Sequence, residues 1–321
     1  MTAIATARIA IVGAGAFGTL LAARMHESGA PVTLLTRKAE DAGAIARDGV
    51  TVIDAGGERV VRVPCGSRSD ALAGFSAMIF CVKSYDTRSA AEMHRLRLAA
   101  GGFVLTLQNG AGNVEALADV FGRANVLAGV STEAALLESV GRVRHTGVGE
   151  THLGELDGAT TTRVTRICAA FRRAGYRASV ADSVDRLIWR KLAINAGINA
   201  LTAIARQPNG WVAENPHANA LAVAAVREVC AVSTHAGCRL DADEIVAVML
   251  DVARRTSSNR SSMLTDVERG RMTEIEAIQG YVTKLGGQFA IPTPVNAVLR
   301  DIVLAISVAS HANRPHGEST S

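Results

Sequence analysis

The sequence predicts an α/β fold in which a doubly wound parallel sheet is followed by an all-α second domain. In the N-terminal half, short β-branched runs alternate with helix-like stretches, which is typical of a parallel sheet with crossover helices. After about residue 180 these runs stop, and long Ala, Leu, Ile and Val stretches with helical spacing follow. We therefore expect domains at 1–181 and 182–310, with a disordered polar tail at 311–321.

Composition narrows the class of protein. The 321 residues are 48% hydrophobic and 20% charged, which favours a packed core and excludes a disordered chain. The net charge of +4 is too dilute for a nucleic-acid-binding protein, and aromatic residues make up only 4%. Apolar runs such as 193–205 are too short to span a bilayer. We expect a cytoplasmic protein without nucleic-acid or membrane partners.

The predicted strands follow one another at spacings that leave room for helices. The first, Arg8–Val12, is followed by a helix-like block that Gly29 closes as a C-cap. The second strand is expected at Pro31–Thr36. Further strands are predicted at 77–82, 102–107 and 126–130.

The turn after the first strand carries a glycine motif. Gly13, Gly15 and Gly18 fit G-x-G-x-x-G, with Ala14, Ala16 and Phe17 between them. The motif follows a strand and opens a helix, the context of a Rossmann dinucleotide site, where the helix N-terminus faces the pyrophosphate. A glycine-rich turn without a ligand is the alternative.

The end of the second strand indicates which dinucleotide would bind. NAD-binding units place Asp or Glu there, whereas this chain has Arg37 and Lys38. A guanidinium can bind a 2′-phosphate through paired donors, which favours NADP(H). An ordinary solvated basic pair remains the alternative.

Polar residues lie along one face of a predicted helix at 187–206. Lys191, Asn195 and Asn199 follow at i, i+4 and i+8, with apolar residues around them. Because buried polar groups are costly unless paired, this face indicates either a polar cleft or a structural network.

Two further polar segments have both a structural and a functional interpretation. Asn109 follows the strand 102–107, at the sheet edge where such folds bind ligands, although Asn-Gly also suits a plain turn. Asn259 to Met263 begins a predicted helix, with Glu274 one helix length further on. Ordinary helix capping explains that second pattern as well.

No metal is expected, since the eight histidines are scattered without ligand spacing. Five of them are predicted to be surface residues: His94, His145, His152, His217 and His235.

Together these segments resemble the ketopantoate reductase (2-dehydropantoate 2-reductase) family over about residues 8–305. The most specific motif is Lys-x3-Asn-x3-Asn, from Lys191 to Asn199. The resemblance also rests on the glycine motif, Cys81-Val-Lys83-Ser, Leu-Gln-Asn109-Gly-Ala-Gly, Pro208-Asn209-Gly, Ser261-Ser262-Met263 and Thr273-Glu274-Ile.

The resemblance implies an N-terminal Rossmann domain, an all-helical C-terminal domain and a cleft between them. It implies NADPH-dependent reduction of 2-dehydropantoate to (R)-pantoate, a step of pantothenate (coenzyme A precursor) biosynthesis. The small 2-keto acid is the implied partner, and a homodimer is left open.

The resemblance also assigns roles by position. Lys191 matches the proton donor, and Glu274 matches a residue near the active site and the cofactor ribose. The implied substrate residues are Asn195, Asn199, Asn209, Asn259 and Ser262. The implied cofactor contacts beyond the glycine motif are Lys83, Asn109 and Ala135, although Glu133 departs from the usual pattern beside Ala135.

The residue types suit the chemistry. Hydride transfer to a 2-keto carbon leaves an alkoxide, which a lysine of lowered pKa can stabilise and protonate. Two other functions stay open: a related NADPH-dependent reductase of another 2-keto acid, and a non-catalytic NADP-binding sensor. The intact Lys191, Asn195, Ser262 and Glu274 argue against the sensor.

Overall fold

The structure, a computed structural model, describes residues 8–67 and 70–312. These residues form two compact units. The first contains the chain up to residue 108 together with 112–184, and the second contains 109–111 and the chain from residue 185 onward. The division at 184/185 lies close to the expected boundary, but residues 109–111, which were expected in the first domain, group with the second.

The first unit contains the strands of the described chain. They are β1 (Ile9–Val12), β2 (Val32–Leu35), β3 (Val50–Asp54), β4 (Gly57–Val61), β5 (Cys65–Gly66), β6 (Phe75–Phe80), β7 (Leu98–Thr106), β8 (Val126–Ser131), β9 (Ala134–Ser139), β10 (Arg142–Gly147), β11 (Glu150–Glu155) and β12 (Arg177–Val180). Its α-helices are α1 (Ala16–Glu27), α2 (Ala39–Asp48), α3 (Thr87–His94), α4 (Asn113–Phe121) and α5 (Thr162–Arg173).

Eight strands form a large sheet in the order β12-β11-β8-β7-β6-β1-β2-β5. Neighbouring strands run parallel throughout except β8 and β11, which are antiparallel. In the centre, Ile9 of β1 lies opposite Val32 of β2 and Ala77 of β6. The fold class is confirmed, and each of the five predicted strands is present with its ends moved by up to four residues.

A second, four-stranded sheet in the order β4-β3-β10-β9 was not predicted. It consists of two antiparallel hairpins, β3–β4 and β9–β10, joined by a parallel β3–β10 pair. The β9–β10 connection consists of Val140 and Gly141, and Gly141 has the positive φ that such tight two-residue turns favour. Gly57, the first residue of β4, also has a positive φ.

Helix α1 packs against both sheets, touching β1 and β2 on one side and β3, β9 and β10 on the other. Its residues Thr19 to Ala23 and Met25 are fully buried as a result. A helix enclosed in this way is apolar around most of its circumference. Its N-terminus, which carries the glycine motif, is therefore rigidly held.

The second unit is helical within its described residues, as predicted. Its helices are α6 (Val184–Ala205), α7 (Gly210–Glu214), α8 (Pro216–His235), α9 (Ala242–Arg255), α10 (Ser262–Glu268), α11 (Tyr281–Phe289) and α12 (Pro294–Ala312), with a π-helical turn at Glu276–Gly280. Side chains of α6 from Trp189 to Leu201 contribute to its core together with α8 and α9.

Two predictions need adjustment at the C-terminal end of the chain. The predicted helix begins at Ser262 and ends at Glu268, so Glu274 lies beyond it, directly before the π-helical turn. Residues 311 and 312 belong to α12, and the rest of the predicted tail lies outside the described residues. Among the described residues, no helix combines the length and apolar character that crossing a bilayer requires.

Candidate active site

The glycine motif forms the turn between β1 and α1. Gly13 has φ +110°, and a Cβ there would lie 2.8 Å from Val82 Cγ1 and 2.9 Å from Val82 N. A Cβ on Gly18 would lie 2.0 Å from the carbonyl oxygen of Gly13. Both positions require glycine for the protein's own packing.

Gly15 differs from its two partners. It is exposed, its φ is −74°, and the nearest atom to a Cβ there would be Cys81 O at 3.8 Å. Gly15 is the N-cap of α1, where the first helical N–H groups lack intrahelical partners. The open backbone at Gly15, flanked by Ala14 and Ala16, fits the close approach of a pyrophosphate. Phe17 packs edge-on against Tyr176, with ring centroids 6.2 Å apart.

Arg37 and Lys38 follow β2 and are exposed. Arg37 Nη1 lies 3.5 Å from Asp86 Oδ2, with the two side chains 69% and 34% exposed. An ion pair that is this exposed stabilises the fold by at most about 1 kcal/mol. A phosphate group can therefore compete with Asp86 for the guanidinium. The Lys38 carbonyl accepts a hydrogen bond from Thr36 Oγ1 at 2.7 Å, which fixes the backbone of this turn.

Lys83 follows β6 and is half-buried at the start of a 3₁₀ turn. Gln108, at the end of β7, holds this region in place, because its amide donates to Val82 O at 2.9 Å and to Thr87 Oγ1 at 2.6 Å. Thr87 Oγ1 in turn donates to Asn113 Oδ1 at 2.8 Å. Sequence motifs alone assign Gln108 no role, although a polar residue two positions after a buried strand indicates one.

Ala135 lies on β9 opposite His145 of β10. The neighbouring Glu133 carboxylate, 1% exposed, lies 2.6 Å from His145 Nε2 and accepts a hydrogen bond from Gly149 N at 3.2 Å. Arg24 Nη2 lies 3.1 Å from His145 Nδ1. Because arginine only donates, we infer that Nδ1 accepts and that Nε2 carries the proton donated to Glu133. Glu133 thus has a structural role in this chain.

The surface prediction for two histidines is therefore wrong. The His145 side chain is only 7% exposed because it pairs with Glu133 and Arg24. His94 is 3% exposed at the end of α3, and burial next to Arg97 lowers the pKa of its imidazole to about 4. His217 and His235 are exposed and His152 is half-buried. The described residues contain no cluster of His, Cys, Asp or Glu suited to a metal ion.

In the second unit, Lys191, Asn195 and Asn199 lie on α6 at the predicted helical spacing. Lys191 and Asn195 are half-buried, and Asn199 is buried. Burial lowers the pKa of the Lys191 ammonium from its ordinary 10.5 to about 8, and the carboxylate of Glu274 acts against that shift. Glu274 is itself buried. Lys191 and Glu274, the two residues predicted to be catalytic, therefore influence each other electrostatically within the helical unit.

Asn109 to Ala111 group with this second unit. Ala111 N donates to Ala277 O at 2.8 Å. Gly110 has φ +77°, and a Cβ there would lie 2.6 Å from the Ala277 Cβ. The loop with Asn109 thus packs against the π-helical turn that follows Glu274.

The remaining predicted substrate residues lie in two loops that are tied together. Asn209 N donates to Asn259 O at 2.9 Å, and Asn209 Nδ2 donates to Thr256 Oγ1 at 3.0 Å. Asn209 Oδ1 is buried and has no hydrogen-bond partner among the described residues. An orphaned acceptor of this kind suits a ligand hydroxyl or a water.

Ser262 is exposed as the first residue of α10, and the preceding Ser261 is the N-cap. Ser261 Oγ accepts from Leu264 N at 3.1 Å and lies 2.8 Å from Thr202 Oγ1 of α6. Thr202 thereby connects α6, which carries Lys191, with the serine segment. Thr202 lies three residues after Asn199 on the same helix face, and this spacing is the sequence signal that could have identified it as part of the site.

Comparison with known proteins gives matches over most of the chain. Residues 9–158 match the family model described as "Ketopantoate reductase PanE/ApbA", and residues 183–307 match its C-terminal counterpart. A 2-dehydropantoate 2-reductase from Halobacterium salinarum is 36% identical over 297 residues, which are 92% of this chain and 97% of that protein.

Solved structures show the same fold. A PanE/ApbA family ketopantoate reductase from Ralstonia eutropha is 30% identical with a TM-score of 0.87, covering 95% of this chain and 99% of that one. D-mandelate dehydrogenase, solved with NADH and anilino(oxo)acetate, superposes with a TM-score of 0.90 at 24% identity and the same coverage, a likeness of fold alone.

Proposed function

The chain belongs to the ketopantoate reductase family and is an NADP-dependent oxidoreductase, and we propose that it reduces 2-dehydropantoate to (R)-pantoate with NADPH, with Lys191 as the proton donor. The observation that carries the proposal is the half-buried Lys191 on α6, whose pKa burial lowers to about 8 while the Glu274 carboxylate opposes that shift. An unperturbed lysine near 10.5 gives up its proton much less readily at neutral pH.

The residues of the first unit fit an NADP(H) molecule. The open backbone at Gly15 and the N-terminus of α1 would hold the pyrophosphate, and Arg37 with Lys38 would hold the 2′-phosphate. Lys83 and Ala135 of this unit, and Asn109 of the second unit, are the further cofactor contacts that we propose. When bound, this cofactor supplies the hydride that the reduction requires.

The chain's own residues then handle charge and proton. Reduction of a 2-keto carbon places negative charge on its oxygen, which the Lys191 ammonium stabilises and protonates. Glu274 raises the pKa of Lys191 against the effect of burial, and so keeps the ammonium form populated at neutral pH. Asn195, Asn199, Asn209, Asn259 and Ser262 offer neutral donors and acceptors for the hydroxyl, keto and carboxylate groups of the substrate.

The decisive experiment follows NADPH absorbance with purified protein and 2-dehydropantoate, with pyruvate and branched 2-keto acids as competing substrates. We expect the highest kcat/KM with 2-dehydropantoate. A clear preference for another 2-keto acid would assign the chain to a related reductase. The preference has to be measured, since one methylene of difference between two substrates changes kcat/KM by only about 10–200-fold. Absence of turnover with every acid, together with tight NADPH binding, would favour the sensor.

A further inference from the structure

The segment that carries Glu274 continues into an unusual helical turn. Glu276–Gly280 is π-helical, whereas the flanking helix α11 is regular. Such wide turns contain one extra residue, are rare, and occur frequently at functional sites. The π-helical turn therefore needs an explanation in terms of what it positions.

Gln279 lies within this turn and is fully buried, with 0% exposure. Its Nε2 donates to the carbonyl oxygen of Ala196 on α6 at 3.0 Å. Its Oε1 is buried and has no hydrogen-bond partner among the described residues. A buried polar atom without a hydrogen-bond partner destabilises the fold, so an apolar side chain of the same volume would stabilise this core better.

We infer that Gln279 is a positioning residue for the pair Lys191 and Glu274, because its amide fastens the segment carrying Glu274 to the backbone of α6. The bond reaches α6 directly after Asn195, between that residue and Asn199. The inference rests on the proposed function, since it assumes that Lys191 is the proton donor. It assigns Gln279 no contact with substrate or cofactor.

The consequence of losing this bond follows from the two influences on Lys191. Burial is the larger one, and Glu274 is the smaller, opposing one. If Gln279 no longer ties the turn to α6, we expect the segment that carries Glu274 to shift relative to α6 and water to reach Lys191 more easily, which would weaken the effect of burial. We then expect the pKa of Lys191 to rise toward its ordinary value and the misplaced ammonium to protonate substrate more slowly.

A matched control exists in the same unit. Asn296 is also fully buried, and its Nδ2 donates to the Ala225 carbonyl oxygen of α8 at 3.1 Å and to Glu228 Oε2 at 2.7 Å. Its Oδ1, like Gln279 Oε1, has no partner among the described residues. Asn296→Leu thus removes a comparable buried amide that ties α12 to α8 and involves neither Lys191 nor Glu274.

The small number of lysines allows the pKa of Lys191 to be measured directly by NMR. The chain has only four lysines, Lys38, Lys83, Lys191 and Lys284, so ¹³C-labelling of the lysine ε-carbons gives four signals. The signal absent from Lys191→Ala identifies Lys191. The experiment compares wild type, Gln279→Met, Gln279→Asn and Asn296→Leu by NMR titration, by the pH profile of kcat and by thermal unfolding.

We expect Gln279→Met to raise the pKa of Lys191 by ~0.5 or more and to lower kcat about tenfold. Gln279→Asn has an amide that is one methylene too short to reach Ala196, so it should raise the pKa of Lys191 and lower kcat as well. Because it keeps a polar side chain at this position, it tests the proposal even if Gln279→Met does not fold. Asn296→Leu should lower the melting temperature without moving the Lys191 titration.

The outcomes separate the two proposals. A Lys191 titration that is unchanged in both Gln279 variants, with only a lower melting temperature, would show that Gln279 is a core residue alone. Normal kcat in Lys191→Ala would instead overturn the proton-donor assignment, whatever the Gln279 variants show.

Discussion

Lys191 and Glu274 are electrostatically coupled in a buried part of the helical unit, and the carboxylate raises the pKa of an ammonium that burial lowers to about 8. The two effects act in opposite directions on one group. The result is a lysine that is mostly charged at neutral pH and still releases its proton readily. A fully solvated lysine has the first property only.

The first prediction concerns Lys191 itself. Lys191→Ala should reduce kcat by roughly 10²–10⁴-fold while NADPH binding stays intact, because the loss falls on proton transfer. In the wild type, kcat/KM should decline above about pH 8, as the ammonium is lost, and this decline should be absent from the residual activity of the variant. A pH profile shared by both proteins would remove Lys191 from the mechanism.

The second prediction tests the role of Glu274. Glu274→Gln removes the charge that raises the pKa of Lys191, so this pKa should fall further below about 8. The alkaline limb of the pH profile should move to lower pH by the same amount. Glu276→Gln is the matched control, since Glu276 is exposed and pairs with Arg300 at 2.7 Å. An unchanged Lys191 titration in Glu274→Gln would contradict the coupling.

Periodicity and local motifs predicted those features whose geometry is determined within a short segment of the chain. The glycine motif predicted the β1–α1 turn because Gly13 and Gly18 meet within one βαβ unit. The spacing of Lys191, Asn195 and Asn199 predicted their common helix face because α6 is regular over its whole length. Both inferences need only the geometry of a single element.

The features that were missed depend on tertiary structure. His145 is buried against Glu133 and Arg24, which lie 12 and 121 positions away, so no local pattern signals its burial. The contact of Gln279 with Ala196 spans 83 positions of the chain. The π-helical turn also changes the phase of the helix, so regular 3.6-residue spacing does not predict which way Gln279 points.

The third prediction concerns acid stability. The imidazole of His94 has a pKa of about 4 in the folded protein and about 6.5 when unfolded, so the unfolded chain binds more protons between these values. Stability should therefore fall as the pH decreases from about 6.5 to about 4, by on the order of 3 kcal/mol for this group. Urea unfolding across this range should show a shallower loss in His94→Leu. His217→Leu, at an exposed position, should keep the wild-type slope.

The fourth prediction separates folding from binding within the glycine motif. Gly18→Ala should destabilise the protein by about 1–3 kcal/mol or more, because its Cβ would lie 2.0 Å from Gly13 O. Gly15→Ala should leave the melting temperature unchanged, since no atom lies closer than 3.8 Å to its Cβ, yet should weaken NADPH binding. Gly43→Ala on α2 is the control: its Cβ has nothing within 4 Å, so stability should rise slightly and NADPH binding should not change. Normal NADPH affinity in Gly15→Ala would show that the pyrophosphate does not approach there.

The last prediction concerns the choice between NADPH and NADH. Arg37 pairs only with Asp86 at 3.5 Å in the described contacts, and both side chains are exposed enough for a 2′-phosphate to displace the carboxylate. Arg37→Asp should raise KM for NADPH by a factor of about 10–100, because a charge-assisted pair with the 2′-phosphate is lost, and should change KM for NADH little.

Arg47→Asp is the control for the change in net charge, since it reverses the charge of a 71% exposed side chain on α2. Asp86→Asn should lower KM for NADPH slightly, because the guanidinium no longer has to leave an ion pair. Equal use of NADH and NADPH by the wild type would show that the end of β2 does not select the cofactor.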